Sequence, residues 1–135
     1  MAKIRHLAMI AKDPQKLADF YCNVFEMKVV RTSKSGAVYV TDGYLNLAIL
    51  KNKGDKPDGL HHFGFQVEDM GKTGDLLAGA GVERPQVRPN NPPYAETRSH
   101  DPEGNLFDLS VHGYQSPEFA EERAAKPTKK VPEKV

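Results

Sequence analysis

The chain has 135 residues, which fits one domain of ordinary size with room for a hydrophobic core. Its 19 Lys and Arg residues nearly balance its 18 Asp and Glu residues, so its charge favours neither nucleic acid nor an anionic membrane as a partner. The N-terminus lacks the apolar segment of a signal peptide, and no apolar run is long enough to span a bilayer. We therefore expect a cytoplasmic protein that binds a small molecule.

The first half of the sequence predicts one strand, one helix and three further strands. The segment "KIRHLAMIAK" is typical of a strand, and Asp13 with Pro14 then marks the start of a helix. Cys22 lies in an apolar part of this helix, which favours a buried, unreactive thiol. Three short strands are expected in "MKVVRTS", "AVYVTD" and "YLNLAIL", so this half has the order βαβββ. Apolar residues at helical spacing predict a core-facing stripe on the helix, formed by Leu17, Phe20, Tyr21, Val24 and Phe25.

The second half repeats the order βαβββ after a polar linker. Residues 51–59 are charged and rich in glycine and proline, as expected of an exposed connection. We predict a single domain over 1–115, with modules at about 3–50 and 60–113. The second module is expected to contain a strand over 60–67, a helix over about 69–80, and strands near 82–87, 95–99 and 105–111.

Two histidines occupy matching places in this repeat. His6 is followed seven residues later by Asp13, and His62 is followed seven residues later by Asp69, the predicted cap of the second helix. Since neighbouring side chains of a strand point to opposite faces, only one of the adjacent His61 and His62 can match His6. We expect that one to be His62, with His61 facing solvent or a helix.

The last strands of the two modules also correspond, and this alignment pairs Asn46 with Asp108. The second module is longer, and the segment "RPNNPPYAE" at 88–96 is the natural place for the insertion. A lone strand histidine is more often a core residue than a ligand, and an Asp near a turn is usually a cap. However, two imidazoles and a carboxylate in matching places form a ligand set for Fe(II), Mn(II), Ni(II) or Zn(II). The repeat therefore favours a site for one divalent metal at His6, His62 and Asp108.

Three segments carry a family resemblance, namely "HLAMIAKDPQKLADFYCNVFEMKVV", "HHFGFQVED" and "DPEGNLFDLS". Together they resemble the vicinal oxygen chelate superfamily of glyoxalases, fosfomycin-resistance transferases, extradiol dioxygenases, methylmalonyl-CoA epimerases and bleomycin-resistance proteins. The resemblance covers about residues 3–113 and indicates the superfamily better than any one activity. It implies an α+β fold of two βαβββ modules, with mixed sheets curled around a metal and substrate cavity.

The resemblance also implies roles for individual residues. His6 and His62 would bind metal, and Asp108 stands where the family usually has a Glu; an Asp108 bonded to the backbone without metal is the alternative. Asn46 occupies the fourth position, where glyoxalase I-like members have a second Glu that binds metal and can act as the base. Because an amide takes up no proton at neutral pH, glyoxalase I chemistry ranks lower.

Without a ligand at Asn46, the set of His6, His62 and Asp108 resembles the two-histidine, one-carboxylate set of extradiol dioxygenases and fosfomycin transferases. Arg98 stands where such members often have a Tyr; an inward Arg98 would suit an anionic substrate or an oxyanion, and a solvent-facing one is equally expected. His100 and Tyr94 are further candidates for acid–base or orienting groups. We therefore expect a metal-dependent enzyme, dioxygenase-like or glyoxalase/lyase-like, that acts on a small substrate with vicinal oxygens. The alternative is a metal-free protein that sequesters a ligand, as bleomycin-resistance proteins do.

Assembly is the last expectation that the resemblance supplies. Two-module chains of this superfamily commonly pair, which implies a homodimer with sites shared across the interface. In that arrangement His6 comes from one chain, and His62 with Asp108 comes from the other. Closure of both modules within one chain is the alternative, and the linker 51–59 is long enough for either. The charged helix or tail at 116–135 has no core of its own, which favours a partner subunit.

Overall fold

The computed structural model describes residues 1–87 and 97–114. The predicted insertion at 88–96, the candidate Tyr94 within it and the predicted tail at 116–135 lie outside the described residues. The elements are β1 (Lys3–Ala11), α1 (Pro14–Phe25), β2 (Lys28–Thr32), β3 (Val38–Thr41), β4 (Asn46–Lys51), β5 (Gly59–Gln66), α2 (Met70–Gly79), β6 (Gln86–Val87), β7 (Thr97–His100) and β8 (Leu106–Ser110). This order is βαβββ twice, so the predicted α+β class and module pattern are confirmed.

The chain divides into two compact units, whose boundaries differ from those of the sequence modules. Unit 1 contains Met1–His6 and the described chain from His62 onward, and unit 2 contains Leu7–His61. The first residues of β1 therefore belong to the same unit as the second module. In the described part of the chain, neither helix has the length and apolar character needed to cross a membrane.

Unit 2 is a four-stranded sheet covered by α1. Its strand order is β2-β3-β4-β1, and the β2–β3 and β3–β4 pairs are antiparallel. Val40 and Ile49 are fully buried at 0% exposure, because they face the helix across the centre of the sheet. The other buried members of this core are Ala11, Ala18, Cys22, Val38 and Leu47.

Helix α1 begins as predicted but buries a different face. The side chain of Asp13 accepts a hydrogen bond from the Lys16 backbone N–H at 3.1 Å, and Pro14 occupies the first turn. The predicted core stripe is wrong at three positions, since Phe20, Val24 and Phe25 are 50%, 54% and 62% exposed. The small side chains of Ala18 and Cys22 allow close approach to the sheet, so the buried face centres on them. It comprises Pro14, Ala18 and Cys22, flanked by the partly buried Leu17 and Tyr21.

Unit 1 has the strand order β1-β5-β8-β7-β6 and carries α2. Strands β5 and β8 run parallel, whereas the β7–β8 and β6–β7 pairs are antiparallel. The side chain of Asp69 caps α2 as predicted, accepting a hydrogen bond from the Lys72 backbone N–H at 3.0 Å. Its core comprises Val67, Phe107 and Leu109, packed against Phe63, Phe65, Met70 and Leu77.

A tight turn of sequence "DPEGN" leads into β8. The Asp101 carboxylate accepts hydrogen bonds from the backbone N–H groups of Glu103 and Asn105, both at 2.9 Å. Gly104 adopts a φ of 90°, a left-handed conformation that other residues rarely adopt. The turn therefore fixes the point at which β8 enters the sheet, and with it the position of every side chain on that strand.

The two N-caps provide a test of the repeat. We expect D13A and D69A each to lower the free energy of unfolding by about 1 kcal/mol, because each leaves an orphan N–H at a helix start. Urea unfolding measures this, with the exposed Glu83→Ala as a control that changes little. A loss in one variant only would mean that the two caps are not equivalent.

Candidate metal centre

Four neighbouring strands of unit 1 bring their side chains into one row across the sheet. On β8, Asp108 lies opposite Gly64 of β5 in the parallel ladder and opposite Arg98 of β7 in the antiparallel ladder. The Cβ of His6 lies 3.0 Å from the place where a Cβ on Gly64 would stand, so His6 continues the row on β1. His62 precedes Gly64 by two residues and therefore shares its face of the sheet. The ladders thus bring the predicted ligands together.

The three predicted ligands converge on one point. The Nε2 atom of His62 lies 3.2 Å from Oδ2 of Asp108, and Nε2 of His6 lies 3.8 Å from the same oxygen. The donor atoms of all three residues lie within 4.8 Å of one another. Their side chains are 5%, 7% and 2% exposed for His6, His62 and Asp108. Among the described residues, this is the group of histidines and carboxylates that can hold a metal ion.

The donor set fits a divalent metal. Imidazole nitrogens and carboxylate oxygens bind Zn²⁺ at about 2.0–2.2 Å, which places two ligands of one ion roughly 3.0–3.5 Å apart. The measured 3.2 Å between His62 and Asp108 falls in this range, the 3.8 Å between His6 and Asp108 exceeds it, and the three donor atoms lie within 4.8 Å of one another. Binding of one ion would draw the side chains slightly closer together. Three protein ligands leave further coordination positions for a substrate. His6, His62 and Asp108 could therefore hold the ion that the sequence predicts.

Arg98 points into the site and not into solvent, the two orientations that the sequence left open. Its Nε–H donates a hydrogen bond of 2.8 Å to Oδ1 of Asp108, and its side chain is 31% exposed. Burial raises the pKa of Asp108, but hydrogen bonds and positive charge from His62 and Arg98 outweigh it, so the pKa lies well below the ordinary carboxyl value. Asp108 is therefore an anion whose Oδ1 is held by Arg98 and whose Oδ2 faces the histidines.

The cluster of His6, His62 and Asp108 does not include three other residues that the sequence singled out. His61 is half-buried at the neighbouring position of β5, belongs to unit 2 and is not a member of the cluster, in agreement with its predicted orientation. His100 shares the face of Arg98 on β7, and its Nδ1 lies 2.9 Å from the backbone oxygen of Asp101. Asn46 is 1% exposed at the start of β4 in unit 2, so its role as a fourth ligand position stays a prediction.

The three candidate ligands lie together within one chain. His6 belongs to the same compact unit as His62 and Asp108, because the first residues of β1 lie beside β5 in the sheet of unit 1. Within this one chain the three side chains therefore already lie together. A homodimer with sites shared across its interface, in which His6 comes from one chain and His62 with Asp108 from the other, stays a prediction.

Sequence analysis missed one side chain next to the site. Tyr114 follows β8, is 1% exposed, and stacks on the His6 ring with a centroid separation of 4.8 Å. Tyr114 lies beyond the last predicted strand, where no hydrophobic periodicity predicts that it is buried. Gly64 could have indicated a group packed against β5, because a glycine inside a strand often lies where another group approaches closely.

Substitution of the two adjacent histidines tests the ligand assignment. We expect His62→Ala to abolish the binding of one equivalent of Zn²⁺, because it removes one of three ligands, and His61→Ala to leave binding nearly intact. Isothermal titration of the metal-stripped proteins measures both. Equal losses in the two variants would contradict the assignment.

The lowered pKa of Asp108 predicts a pH dependence of stability. An ionised Asp108 stabilises the folded protein above the unfolded carboxyl pKa of about 3.9, and this contribution is lost as the pH falls toward the lower folded value. The difference in free energy of unfolding between the native protein and Asp108→Asn should therefore shrink as the pH falls below about 4. Urea unfolding in the presence of chelator measures it, and a difference that is flat down to pH 3 would contradict the prediction.

Solved structures share this fold at low sequence identity. The 2,3-dioxygenase LapB from Pseudomonas sp. KL28 has a TM-score of 0.65 and 19% identity over 81% of this chain and 40% of its own. BphC, a halotolerant catechol dioxygenase, has a TM-score of 0.66 and 16% identity over 85% of this chain and 41% of its own. A variant of methylmalonyl-CoA epimerase from Streptomyces coelicolor has a TM-score of 0.57 and 19% identity over 79% of this chain and 94% of its own. The chain thus spans about two fifths of each dioxygenase and nearly all of the epimerase.

Sequence comparison supplies the family. No curated protein matches the chain closely enough to be reported as a relative. The model of the Glyoxalase/Bleomycin resistance protein/Dioxygenase superfamily, in contrast, matches residues 3–109 and so covers both βαβββ modules. The chain also shares its fold with the dioxygenases and the epimerase. Because the family model matches most of its length, the chain belongs to the Glyoxalase/Bleomycin resistance protein/Dioxygenase superfamily.

Proposed function

We propose that this protein is a divalent-metal-dependent enzyme that acts on a small substrate with vicinal oxygens. The observation that carries the proposal is the convergence of both histidine Nε2 atoms on Oδ2 of Asp108, in side chains that are almost fully buried. A buried carboxylate beside two imidazoles is costly to keep for packing alone, because charged groups lose their hydration on burial. Membership of a superfamily that contains dioxygenases supports the same conclusion.

His6, His62 and Asp108 are the residues that would hold the metal, one ion per site. When bound, such an ion supplies a Lewis acid and a template for the oxygens of a substrate. Hydrogen bonds with His62 and Arg98 keep Asp108 ionised despite its burial, and the bond from Arg98 to Oδ1 leaves Oδ2 facing the histidines and the ion. This chain therefore provides an anionic ligand set of fixed orientation. Fe, Mn, Ni and Zn all accept these ligands.

Arg98 also suggests the charge of the substrate. Its Nε–H donates to Asp108, and its guanidinium group donates no other hydrogen bond within residues 1–87 and 97–114. The remaining N–H groups of this partly exposed side chain can bind a carboxylate or an oxyanion. We therefore propose a substrate that carries negative charge beside its vicinal oxygens.

His100 is our candidate for the acid–base group. Because a carbonyl oxygen can only accept, the contact with the Asp101 oxygen places the ring proton of His100 on Nδ1. In the neutral ring, Nε2 is then the basic atom, and His100 shares the face of Arg98 on β7. Tyr94, the other candidate, lies outside the described residues.

We rank ring-opening dioxygenation ahead of lyase or isomerase chemistry. The two-histidine, one-carboxylate set suits non-haem iron, which serves such oxygenases. Asn46 weighs against glyoxalase I chemistry, because an amide cannot replace a carboxylate base. Cytoplasmic location and assembly into a homodimer remain predictions from the sequence.

A metal-free binding protein is the second candidate, and one observation favours it. The Arg98–Asp108 hydrogen bond of 2.8 Å already gives the buried carboxylate a cationic partner without any ion. A protein that sequesters a ligand, as bleomycin-resistance proteins do, would then need no ion to compensate the buried charge. The two candidates differ in whether a metal binds with stoichiometry of one.

Elemental analysis of protein purified without chelator tests the proposal. We expect one divalent metal per chain in the native protein and almost none in His62→Ala, with His61→Ala as the matched control. Iron would support dioxygenation, and nickel or zinc would support lyase or isomerase chemistry. A native protein without metal that also fails to bind Fe²⁺, Ni²⁺ or Zn²⁺ added in excess would overturn the proposal in favour of the binding protein.

A second test concerns the substrate. Under the proposal, Fe²⁺-loaded protein supplied with O₂ should open the ring of catechols by adding both oxygen atoms, and carboxylated catechols should react with a lower KM than neutral ones. Arg98→Gln should remove this preference, because an amide is uncharged. Absorbance of the ring-opened product measures the rate. An unchanged preference in Arg98→Gln would rule out its role in binding the substrate anion.

A further inference from the structure

The chain folds back over the candidate site after β8. The Gly113 N–H donates a hydrogen bond of 2.8 Å to Oγ of Ser110, which closes a turn at the end of the strand. Tyr114 follows this turn and is 1% exposed, so its ring lies inside unit 1 rather than on the surface. A tyrosine buried this deeply requires contacts for both its ring and its hydroxyl group.

Both parts of Tyr114 have such contacts. The ring lies parallel to the His6 imidazole, with a centroid separation of 4.8 Å and an interplanar angle of 5°. This geometry falls within the range of offset-stacked aromatic pairs. The hydroxyl donates a hydrogen bond of 3.3 Å to the backbone oxygen of Phe65. Since β5 carries Phe65, the phenol is anchored to the strand that also carries His62.

Gly64 provides the space in which the phenol lies. A Cβ at this position would stand 2.5 Å from Oη and 2.9 Å from Cζ of Tyr114, and 3.0 Å from Cβ of His6. Any residue larger than glycine would therefore displace the phenol or the strand. Gly64 lies directly beside Asp108 in the parallel ladder, so the phenol rests in the middle of the row of site residues.

We propose that Tyr114, seated on Gly64, is a positioning residue that fixes the plane of the His6 imidazole for metal binding. The proposal rests on the metal-dependent function proposed above. A histidine on a strand can rotate about two side-chain bonds, and a ligand nitrogen binds well only when its lone pair faces the ion. The stack restricts that rotation. The imidazole therefore loses its conformational entropy when the protein folds, and metal binding does not have to offset that loss.

Variants of Tyr114 separate the stack from the hydroxyl group. We expect Tyr114→Leu to weaken Zn²⁺ binding about 10- to 100-fold, as is typical when a group that supports a ligand is removed. Tyr114→Phe keeps the aromatic ring and should retain most of the affinity. Isothermal titration measures both, and Val40→Ala in the core of unit 2 is the control for lost stability alone. If Val40→Ala weakens binding as much as Tyr114→Leu, the role of Tyr114 is merely structural and the proposal fails.

Gly64→Ala tests whether the space at Gly64 positions the Tyr114 side chain. We expect it to weaken Zn²⁺ binding in the native background but to have a smaller further effect in Tyr114→Leu, because most of the atoms that the new Cβ would meet are then absent. Residues in contact show this kind of non-additivity. Fully additive losses would contradict the proposed coupling.

The metal-free protein gives a readout that is independent of the proposed function. In the native protein the stacked phenol should shift the NMR signals of the His6 ring upfield, and Tyr114→Leu should move them toward the values of an unstacked imidazole, whereas Tyr114→Phe should preserve them. Unchanged His6 signals in Tyr114→Leu would overturn the positioning role. Should the native protein show the His6 shift but bind no metal, the positioning contact would stand and the metal-dependent function would fail.

Discussion

The candidate site depends on one buried carboxylate. Asp108 is 2% exposed and remains ionised, which is tolerated only because charged or polar groups replace the water that burial removes. Arg98 binds one of its oxygens at 2.8 Å, and both histidines face the other. Removal of any of these partners would leave a buried charge poorly compensated, so the strands that carry them are held in a common register by electrostatics as well as by backbone ladders.

The sequence predicted which side chains meet because the fold repeats. His6 and His62 stand at the same distance before the helix caps Asp13 and Asp69, and both caps form as expected. This spacing fixed the phase of each strand, which in turn determined that His62 and not His61 joins the cluster. Periodicity and turn chemistry were therefore sufficient to predict the element order and the matching positions of the two histidines, whereas metal binding by His6, His62 and Asp108 stays a prediction.

Tertiary packing accounts for what the sequence did not predict. Helix α1 approaches the sheet closely through Ala18 and Cys22, and Phe20 and Phe25 are therefore exposed. Hydrophobic spacing alone does not show whether the small or the large apolar residues of a helix face the sheet. The position of β1 beside β5, which brings His6 to His62 and Asp108 within one chain, is likewise not stated by the chain order. Tyr114 was missed because its contact with the site arises from a turn after the last strand.

The central claim is that His6, His62 and Asp108 bind one metal ion within a single chain. An anomalous difference map from crystals grown with Zn²⁺ and recorded at the zinc edge tests it directly. We predict one peak per chain, within about 2.3 Å of Nε2 of both histidines and of an oxygen of Asp108. A map with no peak at this position, or with its only peak at other residues, would contradict the account.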